Sequence, residues 1–246
     1  MPVLNAAFLH SNVYFFFLGL LCGVVGFRRG WSSGLRWLLP SLQGLLGFLG
    51  FAAAWWHDGA LAGAVAVGGW AFGSTIVAIP AFWPAAERTD RLVLRAQPYR
   101  ESMFDWLRTG RGPETRPLAT LRAHALELAL YLAAALATAN LASMILGAVL
   151  LNYMNAYVAS LLRSAHRFWL VLLLGWNVWS LIRVAAYVML GVACAAPIAT
   201  WLGLPPRPGE VPLLLWMGGV GVVLDVALKL LLSRPAGRAL AASIDL

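Results

Sequence analysis

Read for charge alone, the chain divides into long uncharged stretches separated by short polar ones. A helix needs roughly 20 apolar residues to cross a hydrocarbon core of about 30 Å, and it satisfies its own backbone polar groups in doing so. Uncharged runs are therefore the ruler. Ser11 to Phe27 is the first and stops at Arg28 and Arg29. Trp37 to Trp56 is the second, with Pro40 near its start, where a first turn tolerates proline. His57, Asp58 and Gly59 predict a tight connection, and Ala60 to Pro84 is the third run. Trp55, Trp56 and Trp83 stand at run ends, as an interfacial aromatic belt would place them.

A polar stretch over 85–122 follows, with Leu92, Val93, Met103, Phe104 and Trp106 set between its arginines. The spacing of Val93, Gln97, Arg100 and Phe104 predicts short amphipathic helices at the membrane surface. Gly110, Gly112, Pro113 and Pro117 break the stretch, and Thr115 to Leu118 leads back toward the bilayer. Between Glu127 and Arg163 lie 35 uncharged residues, too many for one span and few for two. The run is either one span followed by an interfacial segment or a hairpin of two short helices turning near Asn140. The distribution of basic residues favours the hairpin, because it places 16 of the 18 on one side, leaving Arg207 opposite and Arg183 within the bilayer. Phe168 to Thr200 is a long or bent span interrupted by Arg183. Pro205, Pro206, Pro208 and Gly209 form a rigid connector, Val211 to Ser233 is the last span, and a solvated tail follows from Arg234.

Composition agrees with that map. Of 246 residues, 61% are hydrophobic and 11% charged, against about a quarter charged in ordinary soluble domains. Such a surface excludes a cytosolic enzyme, a secreted disulfide scaffold and a disordered chain. The fold class expected is all-α, a polytopic integral membrane protein with about six membrane-inserted helices and a possible re-entrant hairpin. It forms one membrane domain over 1–246, with 85–122 as a cytoplasmic amphipathic loop.

The net charge of +8 would suggest nucleic acid in a soluble protein. Here five acids accompany eight bases in the 85–122 loop, which makes a poor polyanion site, so the expected partner is the lipid bilayer and no nucleic acid. Cys22 and Cys194 lie in apolar runs without CxxC or Cys/His spacing, so neither metal nor disulfide is expected. No cleaved signal peptide is read at the N-terminus. The histidines His10, His57, His124 and His166 fall at run ends, which argues against a bis-histidine haem, and no cofactor is expected.

Ionisable residues inside a bilayer are expensive, so each is a site hypothesis until a partner is named. Arg183 lies in WNVWSLIRVAAY. It either receives a small anion, with Asn177 and Ser180 as further hydrogen-bond donors, or pairs with Glu127 or Asp225, or snorkels to the interface if the run is really two segments. Asp225 and Lys229 are spaced for an intrahelical ion pair, acid first. Glu127, after His124, suits the first turn of its helix. These three residues, Asp225, Lys229 and Glu127, are read as structural ion-pair members. Asn140, Asn152 and Asn155 suit interhelical hydrogen bonds. No nucleophile elbow, HExxH, Walker or GxGxxG pattern occurs, and no enzyme is expected.

FFFLG (Phe15–Gly19), GLRWLLP (Gly34–Pro40) and PAFWPAAERTD (Pro80–Asp90) are the informative local motifs. Together they resemble the EI24 family, whose best known bacterial members are CysZ-type sulfate permeases. In that comparison Pro80, Ala86, Glu87, Arg88 and Asp90 stand at the family's proline, Ala-Glu-Arg and second acid. The resemblance covers about the first 130 residues and implies helices that half-cross the bilayer, anion permease activity and a place in the bacterial inner membrane. The functional expectation is thus a permease or channel for a small anionic solute. The alternatives are a structural or assembly subunit of a larger membrane complex, or the transmembrane subunit of an ABC-type exporter whose 85–122 loop meets an ATPase. Either a homo-oligomer or a larger complex is compatible with the sequence.

Overall fold

A computed structural model describes residues 6–112 and 117–245. Within them the chain is helical: α1 (Ala6–Ser33), α2 (Leu38–Asp58), α3 (Ala60–Phe82), α4 (Ala86–Leu92), α5 (Ala96–Thr109), α6 (Pro117–Thr138), α7 (Leu141–Arg163), α8 (Phe168–Gly175), α9 (Val178–Trp201) and α10 (Glu210–Ala241). Among the described residues, seven helical stretches are long and apolar enough to cross a membrane, α8 and α9 counting together as one. The protein is all-α and polytopic. Pro113, Glu114, Thr115 and Arg116 of the expected 85–122 loop lie outside the described residues.

The long uncharged run forms two helices, α6 and α7, joined at Ala139 and Asn140. The turn is made possible by left-handed backbone at both residues, φ 49° and 80°, a region asparagine tolerates better than most residues. The stretches number seven, in keeping with about six inserted helices and a hairpin, because the hairpin contributes two of them; α6 starts ten residues before Glu127, with Pro117 at its first position. Glu127 therefore sits in the body of α6 and not in its first turn. The turn itself is buried: Asn140 is 0% exposed and lies beside Gly191 of α9. Gly191 precedes Trp201 by ten residues, about 15 Å of helix, so α9 continues well past the hairpin.

The span read from Phe168 to Thr200 breaks at Trp176 and Asn177, where extended backbone at Asn177 (ψ 136°) separates α8 from α9. The last helix runs on to Ala241, through most of the stretch expected as a solvated tail from Arg234, and its end packs inward, with Leu240 and Ile244 buried. Backbone bonds join this end to the α7–α8 connection: His166 N donates to Ser243 O at 3.2 Å and Asp245 N to Ser164 O at 2.8 Å.

Small residues set the closest approach, between α1 and α3. A Cβ on Gly19 would lie 1.9 Å from Ala66 O, and one on Gly69 would lie 2.1 Å from Phe16 O, so the two backbones touch only because neither position carries a side chain. Gly44 and Gly47 of α2 likewise face Ile145 and Met144 of α7. The buried face of α5, with Ala96, Met103, Trp106 and Leu107, packs on the bundle, and the Tyr99 ring lies tilted against that of Tyr153 of α7, 4.6 Å between centroids.

Specific contacts tie each end of the bundle. At one end Arg163 Nη1 donates to Phe82 O and Trp83 O, both at 3.0 Å, and Arg88 donates to Trp31 O at 2.5 Å. At the other, Glu210 accepts from the Ala60 and Arg207 amides at 2.7 and 3.1 Å. There Asp58 also accepts from Arg207 at 2.8 Å and from the Ser11 hydroxyl.

Candidate functional site

The ionisable residues singled out by the sequence converge where α6, α9 and α10 meet. Arg183, five residues into α9, turns its guanidinium to Asp225 of α10, with Nε–Oδ2 at 2.8 Å and Nη2–Oδ1 at 2.9 Å. This is the two-point geometry in which a planar guanidinium matches a carboxylate best. Both side chains are largely withdrawn from the surface, at 14% and 7% exposure. Asn177 heads α9, and Ser180 and Arg183 follow it at three-residue steps; Asn177 and Ser180 are both buried.

Lys229, one helical turn beyond Asp225, is 6% exposed and brings Nζ to 3.2 Å from His124 Nε2 on α6. Lysine only donates, so Nε2 accepts and the ring proton of a neutral His124 resides on Nδ1. That nitrogen faces Glu127 Oε2 at 3.4 Å. The Tyr153 hydroxyl donates to the other Glu127 oxygen at 3.3 Å, and Arg183 is within electrostatic reach of the same carboxylate. The Tyr187 hydroxyl meets the His124 carbonyl at 3.5 Å. The row Lys229–His124–Glu127–Tyr153 thus runs beside the Arg183–Asp225 clasp. Two acids and two bases balance, so the cluster is neutral overall while His124 is neutral.

The spacing of Asp225 and Lys229 within α10 suggested an intrahelical pair; in three dimensions both also reach other helices. His124, Tyr153 and Tyr187 were not legible as members. A histidine one turn before a buried glutamate was the available signal, and it became meaningful only once α6 extended through both.

A second polar layer lies between α2, α3 and α7. Asn152 Nδ2 donates to Gln43 Oε1 at 2.5 Å, and both residues are buried. Asn155 Nδ2 reaches Thr75 Oγ1 at 3.5 Å. Asn140 accepts from the Ser143 hydroxyl at 2.5 Å within the hairpin turn. Asn152 and Asn155 thus bond across helices, whereas Asn140 shapes its own turn. Among the described residues, no group of three or more His, Cys, Asp and Glu side chains is arranged to hold a metal ion.

No protein-family model, curated protein or solved structure matches the chain.

Proposed function

We propose that the chain is a membrane transport protein, a permease for a small anionic solute, with the α6–α9–α10 ion cluster as its coupling centre. The observation that carries this reading is the Arg183–Asp225 clasp set beside the Lys229–His124–Glu127 row inside a bundle of spans. Ionisable residues at such positions mark ion and proton pathways in membrane proteins. A guanidinium held by one carboxylate exchanges it for another anion of similar shape when the carboxylate takes a proton. For a singly charged solute, charge in the cluster is then conserved: the solute replaces Asp225 at Arg183, and the proton neutralises Asp225; a dianion such as sulfate needs a second proton taken up with it. The histidine row adds proton-carrying groups beside that clasp, since His124 can pass a proton between Lys229, one turn from Asp225, and Glu127. Basic residues gather at the end of the bundle that carries Arg88 and Arg163, which supports a cytoplasmic position for that end.

Sulfate uptake into liposomes under an imposed pH gradient tests the reading. Uptake by the intact chain that follows the gradient, is lost in Arg183→Ala and loses its pH dependence in His124→Gln is the expected outcome. A silent wild type that co-purifies with stoichiometric partner chains would overturn it in favour of an assembly subunit. Flux that appears only with ATP and a bound ATPase would overturn it in favour of an exporter subunit.

A further inference from the structure

The ion cluster is covered unequally on its two flanks. The side chains of Glu127 and His124 are 27% and 22% exposed, whereas those of Arg183 and Asp225 are at 14% and 7% and Lys229 is buried. Toward the α6–α7 turn the cluster is sealed. Tyr131, one helical turn past Glu127, is buried with its ring between Gly147 of α7 and Gly191 of α9 and its centroid 5.3 Å from that of Tyr187.

The exposed flank lies beside α5, at the basic end. Arg100 of α5 pairs with Asp90 of α4 at 2.6 Å, and α4 is tied to that end by Arg88 on Trp31 O. The outer face of α5 exposes Gln97, Glu101, Asp105 and Arg108. Charged side chains in such a row stand in water or among headgroups, because hydrocarbon excludes them. The opposite face of α5 packs on α7, with Tyr99 against Tyr153, so Tyr153 stands at a depth that water reaches. Its hydroxyl is the one that donates to Glu127.

Arg95 occupies the turn between α4 and α5. Val93 and Ala96 dock that turn, at 1% exposure each, and left-handed backbone at Arg95 (φ 64°) turns its side chain out between them. Arg95 is exposed, and its guanidinium lies 6.0 Å from the centre of the Tyr153 ring. One phenol ring and one hydrogen bond therefore separate this cation from Glu127.

We infer that the ion cluster is entered from the basic face beside Tyr153, and that Arg95 at the mouth selects small anions over cations. The identity of the solute rests on the transport reading; the entrance and its charge preference are measured without flux.

Single cysteines replace Glu127 and, separately, His124 in the full chain carrying Cys22→Ala and Cys194→Ala, in sealed vesicles at low ionic strength. Each is treated with anionic sulfonatoethyl and cationic trimethylammonioethyl methanethiosulfonate, which do not cross the bilayer. Both positions are expected to react from the side that labels Ser32→Cys and not from the side that labels Pro208→Cys. For a charge roughly 10 Å away in water, the ratio of anionic to cationic rate falls about threefold in Arg95→Gln and about eightfold in Arg95→Glu. Arg95→Lys keeps the ratio. Arg108→Glu makes the same charge change about 20 Å along α5 and moves it no more than about twofold. Unchanged elution on size exclusion confirms that each variant is folded, and the two cysteine positions test the entrance independently. Reaction from the Pro208 side, no reaction at either position, or a ratio that Arg95→Glu and Arg108→Glu move equally overturns the proposal. Sulfate uptake without this labelling pattern leaves the transport reading standing and removes the entrance; the labelling pattern without uptake does the reverse.

Discussion

Arg183 and Asp225 are the clearest case of one residue deciding the cost of another. Breaking a buried pair by removing one partner costs about 3–5 kcal/mol, whereas replacing both by apolar groups is often neutral or stabilising. Thermal unfolding in detergent is therefore expected to show a large loss of stability in Asp225→Leu and in Arg183→Met, and recovery of most of it in the double variant. A double variant as unstable as the sum of the singles would mean that the two side chains do not act as a pair. The sequence exposed Arg183 and Asp225 as charges in need of partners, and offered Asp225 as one candidate for Arg183. It favoured Lys229 for Asp225 because spacing along one helix is visible in a sequence while distance between helices is not. His124 stayed unassigned for the same reason: its partner Lys229 is 105 residues away in the chain.

At the scale of elements, the contact between α1 and α3 depends on glycines facing carbonyls. A methyl group at Gly69 or Gly19 has no space against Phe16 O or Ala66 O, so Gly69→Ala is expected to force the helices apart and cost about 1–3 kcal/mol or more. Gly219→Ala, which points into open space, leaves the unfolding midpoint near that of wild type, and equal effects at both sites would refute the packing argument. Helix positions were largely legible, because uncharged runs and the bilayer's thickness constrain each other. Their ends were less so. The start of α6 passes through Arg122 and His124, which a rule based on absence of charge must exclude. The end of α10 continues past Arg234 and Pro235 because its last turns are packed against the bundle, Gly237 lying against Trp106, and not because their composition is apolar. The α8–α9 break has no charge, glycine pair or proline at the break itself to announce it.

For the whole molecule, the spans alternate between two chemically unlike ends. In a background with Cys22 and Cys194 replaced by alanine, an impermeant maleimide is expected to label Ser32→Cys and Pro208→Cys from opposite sides of sealed vesicles. Thr138→Cys, beside a turn that α9 overshoots by about 15 Å, is expected to react less than Pro208→Cys from that same face. Labelling of Ser32→Cys and Pro208→Cys from one side would contradict the arrangement of spans. Charge alone predicted most of this asymmetry, with Lys229 the exception, since it lies in the ion cluster and not at the basic end. The pairing of Asp245 with Ser164 adds an order in time. Ribosomes add about 5–20 residues per second, so Ser164 leaves synthesis on the order of ten seconds before the residue that binds it exists. The α7–α8 connection must therefore stay open until α8, α9 and α10 have all been made, and only then is it fastened.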